Sequence, residues 1–308
     1  PAFVRGLWDR QYRAALQSAT LGPAVQALAA VEAALFDIEG RRRGVPMGRL
    51  FGESPAAELA VYGSGINPPF LEDSIRGALE AGVSTFKLKL GYGDGEDRAN
   101  IRSLKRLLGP GARVAVDVNR SWTFEETLAW MPYLRDEDIV WLEEPLCPEE
   151  QRRYPELRER ALLPISAGEN FLIPPGADFS REGAGGLSLN ESGLALDMVQ
   201  PAVVKNCCFS DGVRLLRIVE DGGKRLTPHF LGSAPGMAAT AHLASLSREP
   251  FLEWDINPNP LRTALMREPF FIKGGRFLMN GAPGLGWTLR GDIPDAWIVR
   301  AVAVKTGG

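Results

Sequence analysis

The chain has 308 residues, long enough for one large α/β barrel or two ordinary domains. Its 35 basic and 38 acidic residues leave a net charge of -3, which gives no electrostatic footprint for nucleic acid or an anionic membrane. The expected partner is therefore a small molecule, with neither nucleic acid nor membrane involved. No apolar run reaches the roughly 18 residues of a membrane span, and the opening "PAFVRGLWDRQYR" lacks the pattern of a secretory signal, so the expected location is the cytoplasm. Cys147 stands alone and Cys207 and Cys208 are adjacent, a spacing that suits neither a disulfide framework nor a zinc site. Buried, reduced thiols are expected.

Residues 22–44, "GPAVQALAAVEAALFDIEGRRRG", carry apolar residues at helical spacing, basic residues near the end and a closing Gly, which predicts one helix. From residue 60 a repeating order begins of short apolar strand, loop and amphipathic helix. Strands are expected in "AVYGSG" from 60, "STFKLKLG" from 84, "RVAVDVN" from 113, "IVWLEEPL" from 139, "PISAGEN" from 164, "DMVQPAVV" from 197, "RLTPHFL" from 225 and "FLEWD" from 251. Helices are expected in "LEDSIRGALEAG", "DRANIRSLKRLLG", "TFEETLAWMPYLRD", "EEQRRYPELRERA", "DGVRLLRIVEDGG" and "GMAATAHLASLS". The connection 171–196, rich in Gly, Pro and Ser, has no clear pattern.

Strands alternating with helices imply a parallel sheet, because each crossover returns the chain to the same direction. Closed, that sheet is an α/β barrel of the triosephosphate isomerase type; left open, it is a doubly wound sheet. The barrel is the preferred reading, since no Gly-x-Gly-x-x-Gly fingerprint follows the first strand. After residue 256 the alternation stops, and "FFIKGGRFLMNGAPGLGWTLRGD" reads as a hairpin and loops expected to pack outside the barrel with residues 1–20.

In such a barrel, functional side chains gather at the C-terminal ends of the strands. Those ends supply Lys87 and Lys89, Asp117 and Asn119, Glu143, Glu169, His229 and Glu253. Asp117, Glu143 and Glu169 are spaced by one strand-helix unit, so they belong to three neighbouring strand ends. Converging carboxylates repel, a hard divalent cation relieves that repulsion, and ligation by oxygen alone points to magnesium. Lys87 and Lys89 share one face of their strand. Lysines often guard an exposed sheet edge, but a closed barrel has no edge. Two neighbouring ammonium groups disfavour each other's charge, which would bring one lysine toward the range of a general base.

With the motifs Lys-x-Lys in "FKLKLGY", Asp-x-Asn in "VDVNRSW", Glu-Glu-Pro in "WLEEPL", Gly-Glu-Asn in "SAGENF" and Pro-His in "TPHFLGSAPGMAATAHLAS", the chain resembles the enolase superfamily. Within it, the resemblance is to the mandelate racemase / muconate lactonizing enzyme family, on the mandelate racemase branch that includes acid-sugar dehydratases. It covers essentially the whole sequence. It implies a (β/α)7β barrel over residues 60–255, capped by an α+β domain from both termini, with residues 1–59 and 256–308 as the parts of that cap present here. The cap's β-rich front segment, which relatives carry, is absent from this sequence.

The resemblance further implies one Mg2+ held by Asp117, Glu143 and Glu169, with no other cofactor. Lys89 would be the base on one face of the substrate's α-carbon, with Lys87 tuning it and touching the carboxylate. His229 would be base or acid on the other face, Glu253 a hydrogen-bond donor or electrophile to the substrate carboxylate, and Asn119 a further substrate contact. A homo-oligomer is implied as well.

Two residues depart from the family pattern. Relatives orient the His with an Asp where "MVQPAVVK" has Ala202, so His229 is expected to lack a fixed tautomer and to have a lowered pKa. The family's Gly-Gly is replaced by Cys207 and Cys208, while Lys205 is expected to pack or be solvated rather than to approach the site. His242 is expected to pack in a helix, and Tyr92 and Trp122 to lie near the mouth. The function read from this is abstraction of the α-proton of a carboxylate substrate to give an enediolate, most plausibly a lyase dehydrating a sugar acid. A racemase or epimerase of a 2-hydroxy acid is the alternative, and a barrel that binds metal and carboxylate without turnover is the third.

Overall fold

A computed structural model describes residues 21–52, 54–171, 173 and 195–294. The eight expected strands are all present: β1 (Glu58–Ile66), β2 (Thr85–Lys89), β3 (Arg113–Asp117), β4 (Ile139–Glu143), β5 (Ile165–Ala167), β6 (Met198–Val199), β7 (Arg225–Leu226) and β8 (Phe251–Asp255). Each pairs in parallel with the next from β1 to β7, and β8 returns to pair in parallel with β1. That return rules out an open doubly wound sheet. The result is a (β/α)7β-type barrel whose seam between β7 and β8 carries no ladder among the described residues.

The helices are α1 (Leu21–Arg43), α2 (Glu72–Glu80), α3 (Asp94–Leu108), α4 (Phe124–Asp136), α5 (Tyr154–Arg160), α6 (Phe209–Asp221) and α7 (Ala234–Ala244). In α1 the buried positions Val25, Leu28, Ala29, Glu32 and Phe36 recur at helical spacing, and Gly44, at φ 68°, ends the helix in the left-handed conformation that glycine adopts without strain. Thr123 and Glu126 close the start of α4 reciprocally: the Thr123 hydroxyl accepts from the Glu126 amide, and the Glu126 carboxylate accepts from that of Thr123. That pairing satisfies two amides which a helix start otherwise leaves without partners.

Two apolar layers follow from strand alternation. Phe86 and Leu88, both fully buried, belong to the main core between sheet and helices. Each contributes about 2–3 kcal/mol by leaving water. Tyr62, Ala115, Trp141, Met198 and Phe251 form a separate cluster that fills the barrel. Two residues beyond three of them, on the same face, stand Asp117, Glu143 and Glu253. The apolar plug is thus the floor on which the charged groups rest.

The tail is more integrated than the sequence suggested. β9 (Ile272–Lys273) and β10 (Arg276–Leu278) form the expected hairpin, but β10 hydrogen-bonds antiparallel to β1, with Glu58 opposite Leu278. Only the first three residues of β1 take part, so the hairpin extends the wall at the end remote from the strands' C-termini. Past it, the Met47 amide donates to the Gly284 carbonyl (2.7 Å) and the Leu285 amide to Asp37 (2.7 Å), tying the tail to the end of α1. Residues 1–20 and most of the 171–196 connection lie outside the described residues.

Candidate active site

The C-terminal ends of β2, β3 and β4 are in register. Lys89 stands opposite Asp117, and Asp117 opposite Glu143. Each is the last residue of its strand, so the ladder itself sets their separation. Glu169 follows β5 through Gly168, which has φ 142° and lies so close to the next strand that a Cβ there would sit 2.7 Å from the Gln200 nitrogen. Only glycine fits that approach. His229 follows β7, Glu253 is the third residue of β8, and Lys205 lies in the turn after β6.

These side chains meet. Lys87, fully buried, pairs with Glu143, lies 2.8 Å from Glu253 and is 3.6 Å from Asp117. Lys89 pairs with Asp117. Lys205 Nζ is 3.1 Å from Glu169 Oε1 and 2.9 Å from Asn170 Oδ1. Thus each of the three carboxylates expected to form a metal site has a lysine of its own. One oxygen each from Glu143 and Glu169 and one nitrogen of His229 lie within 4.8 Å of one another. Asp117 stands outside that spacing, opposite Glu143 on the ladder.

Burial opposes the charge on Lys87, but Glu143 and Glu253 outweigh it and raise its pKa well above the ordinary value. Lys89 is raised as well, with Asp117 overcoming both burial and the repulsion from Lys87. Mutual repulsion of the lysines is therefore not the dominant effect; the carboxylates hold both charged. Burial pushes Glu143 up to about 8 against the pull of Lys87, with Asp117 and Glu253 adding to the rise.

Glu253 is an anion that accepts. Although burial opposes its charge, Lys87 and His229 hold it well below the usual carboxylate range, and the Ser64 hydroxyl and the Phe230 amide donate to it as well. His229 also departs from expectation. Its Nδ1 lies 2.9 Å from Glu169 Oε2 and 2.8 Å from Glu253 Oε2. Burial lowers its pKa, but these two carboxylates overcome that and lift it to about 10. Neither contact is an aligned hydrogen bond, so the two carboxylates act on the imidazole through their charge.

Asn119 is exposed at the end of the β3 loop, in a left-handed conformation with φ 45°, its amide donating to Asp117 Oδ1 (2.8 Å). Trp122 lies on the loop after β3, bridged to Leu146 beyond the end of β4. It is buried and stacked on Trp130 with ring centroids 5.0 Å apart, whereas Tyr92 is exposed. His242 packs as expected: its Nδ1 accepts from the Gly48 amide (3.3 Å) and its Nε2 lies 3.1 Å from the Leu285 carbonyl. Cys207 and Cys208 are buried free thiols, and burial raises the pKa of both.

Two residues at the site carry no signal in the sequence pattern. Glu144 is buried, accepts from Asn170 Nδ2 (2.7 Å) and is pushed up to about 7 by burial and by Glu169 and Asp117. Gln200 donates to Glu143 Oε2 (2.7 Å). Glu144 stood in the Glu-Glu-Pro motif, but strand alternation alone assigns it the opposite face from Glu143. Its φ of 41° breaks that alternation.

The carboxylates of Asp117, Glu143 and Glu169 suit a hard divalent cation: they are buried oxygen donors, and Glu169 Oε2 makes no aligned hydrogen bond. No helix among the described residues is long and apolar enough to cross a membrane.

Comparison with known proteins agrees with this geometry. The family model described as "Enolase C-terminal domain-like" matches residues 71–293, and that of the mandelate racemase / muconate lactonizing enzyme N-terminal domain matches residues 1–52. The D-galactarolactone cycloisomerase of Agrobacterium fabrum is 26% identical over 308 residues, covering 95% of this chain and 79% of that protein. The arabinonate dehydratase of Saccharolobus solfataricus is 26% identical over 297 residues, covering 94% and 77%. The crystal structure of L-talarate dehydratase from Polaromonas sp. JS666, complexed with Mg and L-glucarate, superposes with a TM-score of 0.78 at 27% identity, covering 96% of this chain and 79% of that one. With buried carboxylates and lysines at the strand ends of such a barrel, the chain belongs to the enolase superfamily, in its mandelate racemase and muconate lactonizing enzyme family.

Proposed function

We propose that this protein is a magnesium-dependent lyase that removes the α-proton of a sugar acid and expels water from it. The observation that carries the reading is the pairing of three buried carboxylates with three ammonium groups at one barrel mouth, where Lys89 and His229 approach from separate walls. Asp117, Glu143 and Glu169 would hold the ion, which when bound neutralises charge developing on the substrate carboxylate. Support comes from the relatives named as dehydratases and from the solved relative that holds Mg and a sugar acid.

The chain's own residues divide the remaining work. Lys89, 12% exposed at its side chain, is the group on the β2 wall that can reach a substrate, and it takes the α-proton once its ammonium has released its own. Lys87 is wholly enclosed and fixes Glu143 and Glu253, so it acts on the substrate through charge. His229, held protonated by Glu169 and Glu253, is suited to give a proton to the departing β-hydroxyl. The enediolate formed by proton removal collapses with loss of hydroxide as water.

Incubation in deuterium oxide with magnesium and a library of sugar acids, read by mass spectrometry, tests this. A product lighter by one water, lost in Lys89→Ala or with a chelator, is the expected result. The two carboxylates beside His229 also favour a second reading, a two-base racemase or epimerase, which would exchange the α-proton without losing water. A cap formed by residues 1–59 and 256–308, a homo-oligomeric assembly and a cytoplasmic location, which the free thiols suit, complete the proposal.

A further inference from the structure

Glu169 sits in a turn rather than on a strand. The Phe171 amide donates to the Gly168 carbonyl (3.1 Å), which closes a four-residue turn with Glu169 and Asn170 at its centre. One side chain grips both ends of that turn: Asn206 Nδ2 donates to the Gly168 carbonyl (2.7 Å) and to the Phe171 carbonyl (2.5 Å). Asn206 is 5% exposed and lies in the turn between β6 and α6. Its Oδ1 accepts from the Ala202 amide (2.8 Å) and its own amide donates to the Ala202 carbonyl (3.0 Å), so it is tied to the start of its own turn as well. Its carbonyl accepts from the Ile173 amide (3.0 Å), further along the segment that carries Glu169.

These bonds constrain the residue type. Two carbonyls require a nitrogen donor and a backbone amide requires an oxygen acceptor, and a carboxamide on a one-carbon stem offers both at this reach. Aspartate, of the same shape, keeps the acceptor and loses the donors; leucine loses all three side-chain bonds. The contacts of the Glu169 carboxylate are with side chains: Lys205 (3.1 Å) and Asn170 (3.4 Å) on Oε1, and His229 beside Oε2 without an aligned hydrogen bond. Its place therefore follows that of its turn. From this geometry we propose that Asn206 is a positioning residue, which fixes both ends of the Gly168–Phe171 turn against the turn after β6 and thereby sets the Glu169 carboxylate beside His229. Being buried, it acts through Glu169 and not on a substrate. Its effect on turnover rests on the lyase reading above; its effect on Glu169 does not.

The chain has two histidines, which supply a reporter and an internal control. His229 Nδ1 lies 2.9 Å from Glu169 Oε2, whereas His242 is bonded to Gly48 and Leu285. The ring signals of both, recorded by NMR on the full chain with labelled histidine at one fixed pH and without metal, are compared in wild type, Asn206→Asp and Asn206→Leu, with thermal unfolding and turnover of the sugar-acid library alongside. Both variants should displace the His229 signal and leave that of His242 in place, and turnover should fall about tenfold to a hundredfold, in line with a misplacement of up to about 1 Å. The uncharged leucine separates displacement from a change of field, and the isosteric aspartate covers the case in which leucine does not fold. An unmoved His229 signal in either folded variant, displacement of both histidines, or turnover as fast as that of wild type overturns the proposal. A displaced His229 signal with no turnover of any acid by wild type would sustain the role of Asn206 and remove the lyase reading. Wild-type turnover with an unmoved His229 signal in the variants would do the reverse.

Discussion

The two walls of the barrel mouth are built differently. On the β2–β4 wall, Lys89, Asp117 and Glu143 end strands of five residues each and stand opposite one another on continuous ladders. On the β5–β7 wall the strands have three, two and two residues, and Glu169, Lys205 and His229 lie beyond them on turns. The first wall positions charge by backbone register. The second positions it by close packing at Gly168 and by polar contacts running from Glu144 through Asn170 to Lys205. A ladder tolerates loss of a side chain without moving its neighbours, whereas a contact chain transmits it.

Substitutions on the two walls should therefore fail in different ways. The largest effect is expected from Lys89→Met, which should lower kcat about 10³-fold, within the range for loss of a general base, while thermal unfolding stays near that of wild type. A large fall in melting temperature would show that the ladder wall depends on its charges. On the other wall, Glu169→Gln should lower the His229 pKa from about 10, since one of the two anions favouring the imidazolium is gone. Histidine proton shifts followed against pH read this directly, and an unmoved midpoint would assign the imidazole to Glu253 alone.

Gly168→Ala should destabilise by about 1–3 kcal/mol, because alanine is strained at φ 142° and its Cβ would strike Gln200. Chemical denaturation tests it; the comparable change Ala115→Gly inside the ladder wall should leave Glu143 and Asp117 in place. The smallest effect lies away from both walls. His242 has its pKa lowered to about 4 by burial, so the folded state holds it neutral. Its stabilising contribution is full above the ordinary histidine pKa near 6.5 and is lost as pH falls from there to about 4. His242→Gln should flatten stability across that interval.

The same contrast explains what could be read in advance. Strand periodicity exposed the lysine pair on β2 and the spacing of Asp117, Glu143 and Glu169, since one strand-helix unit per carboxylate is a property of the chain. It could not show which carboxylate meets which cation. His229 seemed weakened by Ala202, because sequence carries no record that Glu169 and Glu253, 84 residues apart by subtraction of their numbers, converge on its Nδ1. Nor does sequence show that the loop aromatic Trp122 turns inward to stack on Trp130 of α4. Glu144 was hidden by a backbone conformation that alternation does not predict.

Magnesium titration by calorimetry on the full chain tests the central claim, that carboxylates from both walls close on one cation. One ion per chain is predicted, lost in Glu143→Gln and in Glu169→Gln and retained in Lys89→Met. Binding unchanged in both carboxylate variants would contradict the account.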